Sequence, residues 1–158
     1  MAGATYSIDT SALLHGWHRA YPPKRFPALW LKLDELIDQG RLIATIEVLN
    51  ELEKKADDTF AWAKERKDSL FREIDEDVQD AVVHLMQTYP RLVDTAKGKS
   101  GGDPFVIAQA MAANPCHTVV TEEAGGSGKQ PKIPWVCQDA GVPWINLLAM
   151  IDLEDWVF

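Results

Sequence analysis

The sequence predicts an α/β fold with a short parallel sheet covered by helices on both faces. Three observations carry this: short β-prone apolar runs at residues 5–8, 117–121 and 142–145, apolar stripes of helical period between them, and the alternation of the two along the chain.

In order, residues 5–8 form a strand that ends in Asp9-Thr10-Ser11, after which Ala12, Leu13, Leu14 and Trp17 begin a helical pattern. Pro22, Pro23 and Pro27 break the chain. Leu29, Leu33, Leu36 and Ile37 then mark one face of an amphipathic helix stopped at Gly40. A further helix runs from about Thr45, with Ile46, Leu49 and Leu52 as its stripe. The charged stretch 57–80 continues into Ala81, Val82, Leu85 and Met86 and reads as mainly helical with a wide solvated face, ending before Pro90.

The second half opens with a glycine-bearing loop, 97–102, and Asp103-Pro104 starts a helix carrying Phe105, Ile107, Ala108 and Met111. Residues 117–121 form the most convincing strand and run into Glu122-Glu123 and a second loop, 124–130. Residues 142–145 supply a last strand and 147–153 a last helix. With no internal repeat, dividing linker or low-complexity tract, residues 1–158 are expected to form a single domain.

Composition narrows the class. Hydrophobic residues make up 46% and charged residues 25% of the 158, which suits one folded domain and excludes disorder as the main state. No leader-like N-terminus and no run of eighteen apolar residues is present, so a cytoplasmic protein is expected. Cys116 and Cys137 are expected as two buried thiols. Trp30, Trp62, Trp144 and Trp156 are expected in the core or an interface, with Trp17 and Trp135 open.

The net charge of −8 excludes a basic, nonspecific nucleic-acid binder. Its distribution matters more than its sum. Residues 51–80 hold 11 acids and 6 bases, so most of the excess sits on one segment.

Several carboxylates stand where chemistry could use them. Asp9 follows the first strand, and ligands in open parallel sheets bind beyond the carboxyl ends of strands; a helix cap is its competing role. Asp103 before Pro104 has the form of an N-cap followed by a proline at the first helical position. Glu47 and Glu51 share a helix face, where Lys55 can offset Glu51, and Glu122-Glu123 ends a strand. Acids gathered at one end of the sheet need a cation, and Mg²⁺ or Mn²⁺ is the natural oxygen-liganded choice. Segments 96–102 and 124–138 contain no acid, yet carry Lys97, Lys99, Lys129 and Lys132 beside Asp103 and Glu123, which suits a phosphate backbone.

The segments Ile8-Asp9-Thr10-Ser11-Ala12-Leu13, Glu47-Val48-Leu49-Asn50-Glu51-Leu52, Asp103-Pro104-Phe105-Val106-Ile107-Ala108 and Val119-Val120-Thr121-Glu122-Glu123 resemble the four acidic motifs of PIN domains, in the family's order. The chain is also similar to an uncharacterised bacterial PIN-like group with a segment like Lys132-Ile133-Pro134-Trp135-Val136-Cys137. The resemblance implies a three-layer α/β/α PIN-like fold and a metal-dependent endoribonuclease, the toxin of a toxin–antitoxin pair. It implies Asp9, Glu51, Asp103 and Glu123 as catalytic metal ligands, and Thr10 or Ser11 as the hydroxyl that orients water. Many PIN domains have Asp where this chain has Glu123, so Glu122 is the substitute candidate there, and Glu47 that for Glu51. RNA as substrate, an antitoxin protein and a second copy of the chain are the expected partners.

Other readings fail or compete. A P-loop at Gly128-Lys129 lacks the earlier glycine, since Glu123 stands there, and has Gln130 where a hydroxyl is needed. A haloacid-dehalogenase-like phosphatase needs a second Asp at position 11, which is Ser. A zinc site from His15, His18, Cys116 and Cys137 lacks closely spaced cysteines. Two alternatives to the ribonuclease stand: a scaffold that docks a partner through Trp156-Val157-Phe158, and a nuclease for structured DNA.

Overall fold

A computed structural model describes residues 3–92 and 103–158, with the side chain of Asp103 outside that description. Five strands form one wholly parallel sheet: β1 (Tyr6–Ile8), β2 (Leu42–Thr45), β3 (Phe71–Arg72), β4 (Thr118–Val120) and β5 (Trp144–Ile145). Their order is β3-β2-β1-β4-β5, so β1 lies at the centre. Tyr6 stands in register with Leu42 on one side and Thr118 on the other, and Ile8 pairs with Val120.

Helices cover both faces: α1 (Thr10–His15), α2 (Pro27–Asp38), α3 (Ile46–Lys55), α4 (Asp58–Glu65), α5 (Lys67–Leu70), α6 (Glu76–Thr88), α7 (Asp103–Ala112), α8 (Ile133–Ala140) and α9 (Leu147–Leu153). The alternation along β1 shows the layering. Ser7 turns to α7, where its hydroxyl donates to the Val106 carbonyl at 3.0 Å and to Gln109 Oε1 at 2.7 Å. Tyr6 turns the other way, and its hydroxyl donates to Glu154, just beyond α9, at 2.5 Å. The fold is thus the expected α/β/α sandwich around a short parallel sheet.

Local chemistry fixes the helix ends. Asp57, Asp75 and Asn146 are N-caps, accepting respectively from the N–H groups of Thr59 and Phe60, of Val78 and of Ala149. Each such cap is worth about 1 kcal/mol. Gly141, at φ +76, ends α8 in the left-handed conformation that glycine adopts without strain.

Between α1 and α2 the chain makes a π-helical turn, Gly16–Ala20, closed by the Tyr21 N–H on the Gly16 carbonyl at 2.9 Å. Gly16 is buried there, and a Cβ on it would stand 3.0 Å from Leu147 Cδ1. Trp17, Trp30 and Trp62 pack edge to face around this turn, with centroids 4.9 Å apart for Trp17 and Trp30 and 5.1 Å for Trp30 and Trp62. Edge-to-face pairs of this kind each contribute roughly 0.5–1.5 kcal/mol beyond the area they bury.

Several expectations need correction. Strands β2 and β3 and helix α8 were not anticipated. All four residues of β2 are buried, so it has no polar alternation to announce it, and β3 is only two residues long. Cys137 is buried, but Cys116 is exposed because it lies in the surface connection between α7 and β4; both thiols are free. Of the tryptophans expected in the core or an interface, Trp30 and Trp62 are core residues, whereas Trp144 on the edge strand β5 is 37% exposed and so is not in the core. Among the described residues, no helix is long and apolar enough to cross a membrane.

Candidate active site

The site forms where β1 and β4 end side by side. Asp9 directly follows β1 and is 3% exposed, its N–H bonded to the Val120 carbonyl at 3.0 Å. Its carboxylate fills the capping role considered for it. As N-cap of α1, Oδ1 accepts the Ala12 N–H at 2.8 Å. The same carboxylate also collects two hydroxyls. Ser11 Oγ lies 2.8 and 2.9 Å from Oδ1 and Oδ2, and Thr121 Oγ1 donates to Oδ2 at 2.6 Å.

Those hydroxyls pass the connection onward. Ser11 Oγ accepts the Glu122 N–H at 3.0 Å, and Thr121 Oγ1 accepts the Glu123 N–H at 3.1 Å. Asp9 is therefore tied, through one hydroxyl each, to the backbone of both glutamates beyond β4. Thr121 is the site residue that sequence reasoning missed. Its signal was a hydroxyl at the buried end of a strand, directly before the two acids.

The two glutamates take different work. Glu122 Oε2 accepts the Leu147 N–H, the first of α9, at 2.8 Å, while Oε1 stands 3.4 Å from His15 Nε2. Glu122 is thus engaged in holding α9 and α1 together. Glu123 lines a cavity of about 490 Å³ with Ser11, Leu14, Glu122 and four basic side chains: His15, His18, Arg19 and Lys55. Glu51 is half-buried and lies one turn before Lys55 on the same face of α3, a helix that packs beside α1; Glu47 lies a turn earlier. Asp103 opens α7, with its side chain outside the description.

Electrostatics links two of these acids to a thiol. Burial, and then the charges of Cys116, Asp9 and Glu123, push the Cys137 thiol up to about 12. Asp9 and Glu123 both act on this one buried group in α8, consistent with their shared end of the sheet. The carboxylate of Asp9 and the hydroxyls of Ser11 and Thr121 are oxygen donors, the chemistry that suits a hard divalent cation, while the imidazoles of His15 and His18 stand by Glu122 and Asp57. Among the described residues, no group of three or more His, Cys, Asp or Glu side chains is arranged to hold a metal ion, so Asp9, Glu51 and Glu123 do not form such a group here, and Asp103 lies outside the described side chains. The zinc arrangement of His15, His18, Cys116 and Cys137 does not form.

The hydroxyls and lysines are distributed unevenly. The Ser11 proton is directed at Asp9, whereas Thr10 Oγ1 is buried and has no hydrogen-bond partner among the described residues. Lys129 is exposed on the loop after Glu123, and Lys132 is the N-cap residue of α8. Neither is among the residues lining the cavity beside Glu123, and Lys97 and Lys99 lie outside the described residues.

Comparison with known proteins agrees with this architecture. A chain of VapBC2 from Rickettsia felis, solved bound to a DNA fragment from the promoter, is similar in structure with a TM-score of 0.53 at 14% identity, over 90% of this chain and 98% of that one. At that identity the likeness is one of fold, and the fold is PIN-like. No curated protein matches the sequence. Residues 6–158 match the family model described as a domain of unknown function, DUF4411. With nearly its whole length matched, the chain belongs to the DUF4411 family.

Proposed function

We propose that this protein is a metal-dependent endoribonuclease and the toxin of a toxin–antitoxin pair, with Asp9, Glu51, Asp103 and Glu123 holding Mg²⁺ or Mn²⁺. One observation carries the reading: a buried aspartate at the end of the central strand, joined through Ser11 and Thr121 to the backbone of Glu122 and Glu123. The PIN-like fold supports it, as does the similarity to a chain of VapBC2. The bound cation would lower the cost of generating a nucleophile from water and of building charge on the phosphodiester.

The chain's own residues supply the positioning. Ser11 and Thr121 fix the Asp9 carboxylate relative to Glu123, so the acids need little reorganisation when substrate arrives. Thr10 Oγ1, which has no protein partner among the described residues, is the hydroxyl available to orient the attacking water. Lys129 and Lys132, with Lys97 and Lys99, flank the RNA. An antitoxin protein would cover the site, and a second copy of the chain is the other proposed partner.

The test is incubation with total RNA in Mn²⁺, with and without chelator. Wild-type cleavage that chelator abolishes and Asp9→Asn removes is the expected result. No cleavage, or undiminished cleavage by Asp9→Asn, overturns the proposal. Flap and duplex DNA in the same assay decide between an RNA and a DNA nuclease. Thermal melting gives a separate readout: Mn²⁺ at one hundred times its dissociation constant should add roughly 2.7 kcal/mol. The scaffold reading, which draws on the exposed Val157 and Phe158, requires no such gain.

A further inference from the structure

The cavity beside Glu123 is a mixed one, with two acids and four basic side chains. The basic groups differ in how far the fold already occupies them. His15 stands by Glu122 at 3.4 Å, and His18 by Asp57 at 3.1 Å and Thr59 Oγ1 at 3.2 Å. Arg19 and Lys55 have neither a hydrogen bond nor an ion pair from their side chains among the described residues, and both are exposed. By contrast, Arg41 bonds Glu154, Arg66 bonds Asp34, and Arg72 bonds the Ser69 carbonyl. Arg19 and Lys55 are thus basic side chains beside Glu123 that the fold leaves uncommitted among the described residues.

Their placement follows from backbone geometry. Arg19 lies in the π turn, where hydrogen bonds run from one residue to the fifth before it, as between Tyr21 and Gly16. Single π turns of this kind recur at functional sites. Buried Gly16 and the Trp17–Trp30–Trp62 cluster pin the turn against the core. Lys55 is the last residue of α3, four after Glu51, and reaches the same cavity from the neighbouring helix. Two elements therefore deliver one cation each to the rim of the acid centre.

We infer that Arg19 and Lys55 form a phosphate-binding subsite, which grips the backbone of single-stranded RNA next to the bond being cut. This rests on the nuclease reading and adds a direction to it: the strand passes over α1 and the end of α3, and not only along the lysine-bearing loops. Phosphate brought near Glu122 and Glu123 meets like charge, so a strand on this path needs cations on the cavity wall. The subsite reads backbone and not base, because neither side chain is held in a fixed fork by neighbours.

The test measures binding without cleavage. In an Asp9→Asn background with Mn²⁺ present, Arg19→Gln, Lys55→Gln and the double variant are titrated with short fluorescein-labelled single-stranded RNA over a range of KCl. Each phosphate contact removed should flatten the plot of log affinity against log salt by roughly 0.7, or about 1.4 for the pair. Lys67→Gln, an exposed cation on α5 outside the cavity, should leave the slope unchanged. In the otherwise wild-type enzyme, the two substitutions should raise KM and leave kcat near its starting value. A double variant that binds RNA with unchanged affinity and slope overturns the subsite while leaving the nuclease intact. Wild-type protein that neither cuts nor binds RNA overturns the nuclease reading, and the subsite with it.

Discussion

Thr121→Val is the most informative single substitution at the candidate centre. Valine keeps the branched shape and nearly the volume of threonine, so packing at this 2%-exposed position is preserved while the hydroxyl is lost. Two hydrogen bonds go with it: the 2.6 Å donation to Asp9 Oδ2 and the 3.1 Å acceptance from Glu123 N–H. A bond to a charged group is worth about 1.5–3 kcal/mol, whereas the part-buried bond from the Glu123 N–H, a neutral one, adds about 0.5–1.5 kcal/mol at most. The expected cost is roughly 2–3 kcal/mol, or about 4–12 °C in Tm for a chain this size. Urea and thermal denaturation measure it. A double-mutant cycle then locates it: in the Asp9→Asn background, Thr121→Val should cost less by about 1 kcal/mol, since the partner carboxylate is already gone. A cost below about 0.5 kcal/mol, or an equal cost in both backgrounds, refutes the claim that this hydroxyl acts through Asp9.

Other outcomes follow from single features. In native protein at mildly alkaline pH, Cys116 should react with a thiol reagent while Cys137, its thiol pushed up to about 12, should not; both should react after unfolding. Because the folded state raises that thiol, its stabilising contribution is complete below the ordinary value of 9 and is lost as pH rises from 9 towards 12; Cys137→Ala should make the alkaline unfolding profile shallower. Tyr89, raised to about 12 by burial and by its bond to Asp139, should add to the same alkaline loss, which Tyr89→Phe would isolate. Arg66→Lys should destabilise by about 1–2 kcal/mol in urea, since lysine reproduces neither the two bonds to Asp34, at 2.5 and 3.0 Å, nor the guanidinium packing 4.5 Å from the Trp62 ring centre. Gly126→Ala puts a Cβ 2.8 Å from Lys132 N at φ +103, so the loop after Glu123 must move; RNA cleavage should fall while far-UV circular dichroism is retained.

What the sequence made legible depended on signals that are local. Asp9 announced itself because a β-prone run, an acid and a helical pattern follow one another within ten residues. The stripe Leu29, Leu33, Leu36 and Ile37 fixed α2 for the same reason, and all four are buried. Strand β2 was hidden because Leu42–Thr45 is buried on both faces and runs straight into the stripe of α3, so its period is masked. The π turn left no signal, since Gly16 is required by Leu147, far along the chain. The site divides likewise. Carboxylates can be counted in a sequence, but Thr121 gains its role only from the register that sets β4 beside β1. Arg19 was passed over, and Lys55 was weighed only as a partner for Glu51, because their shared place stands out only once the π turn and the end of α3 are side by side.

The central position of β1 has a consequence for how the protein comes into being. The first strand made is the one whose neighbours arrive late: β2 supplies one side, but the other waits for Thr118–Val120, and the Tyr6 hydroxyl waits for Glu154. Asp9 acquires Thr121 and the backbone of Glu122 only across more than a hundred residues, so its centre cannot form before β4 and the two glutamates have been made. A nascent or C-terminally truncated chain would carry the aspartate without the frame that orients it. The same long-range closure that orders the folded centre thus leaves an unfinished chain without one.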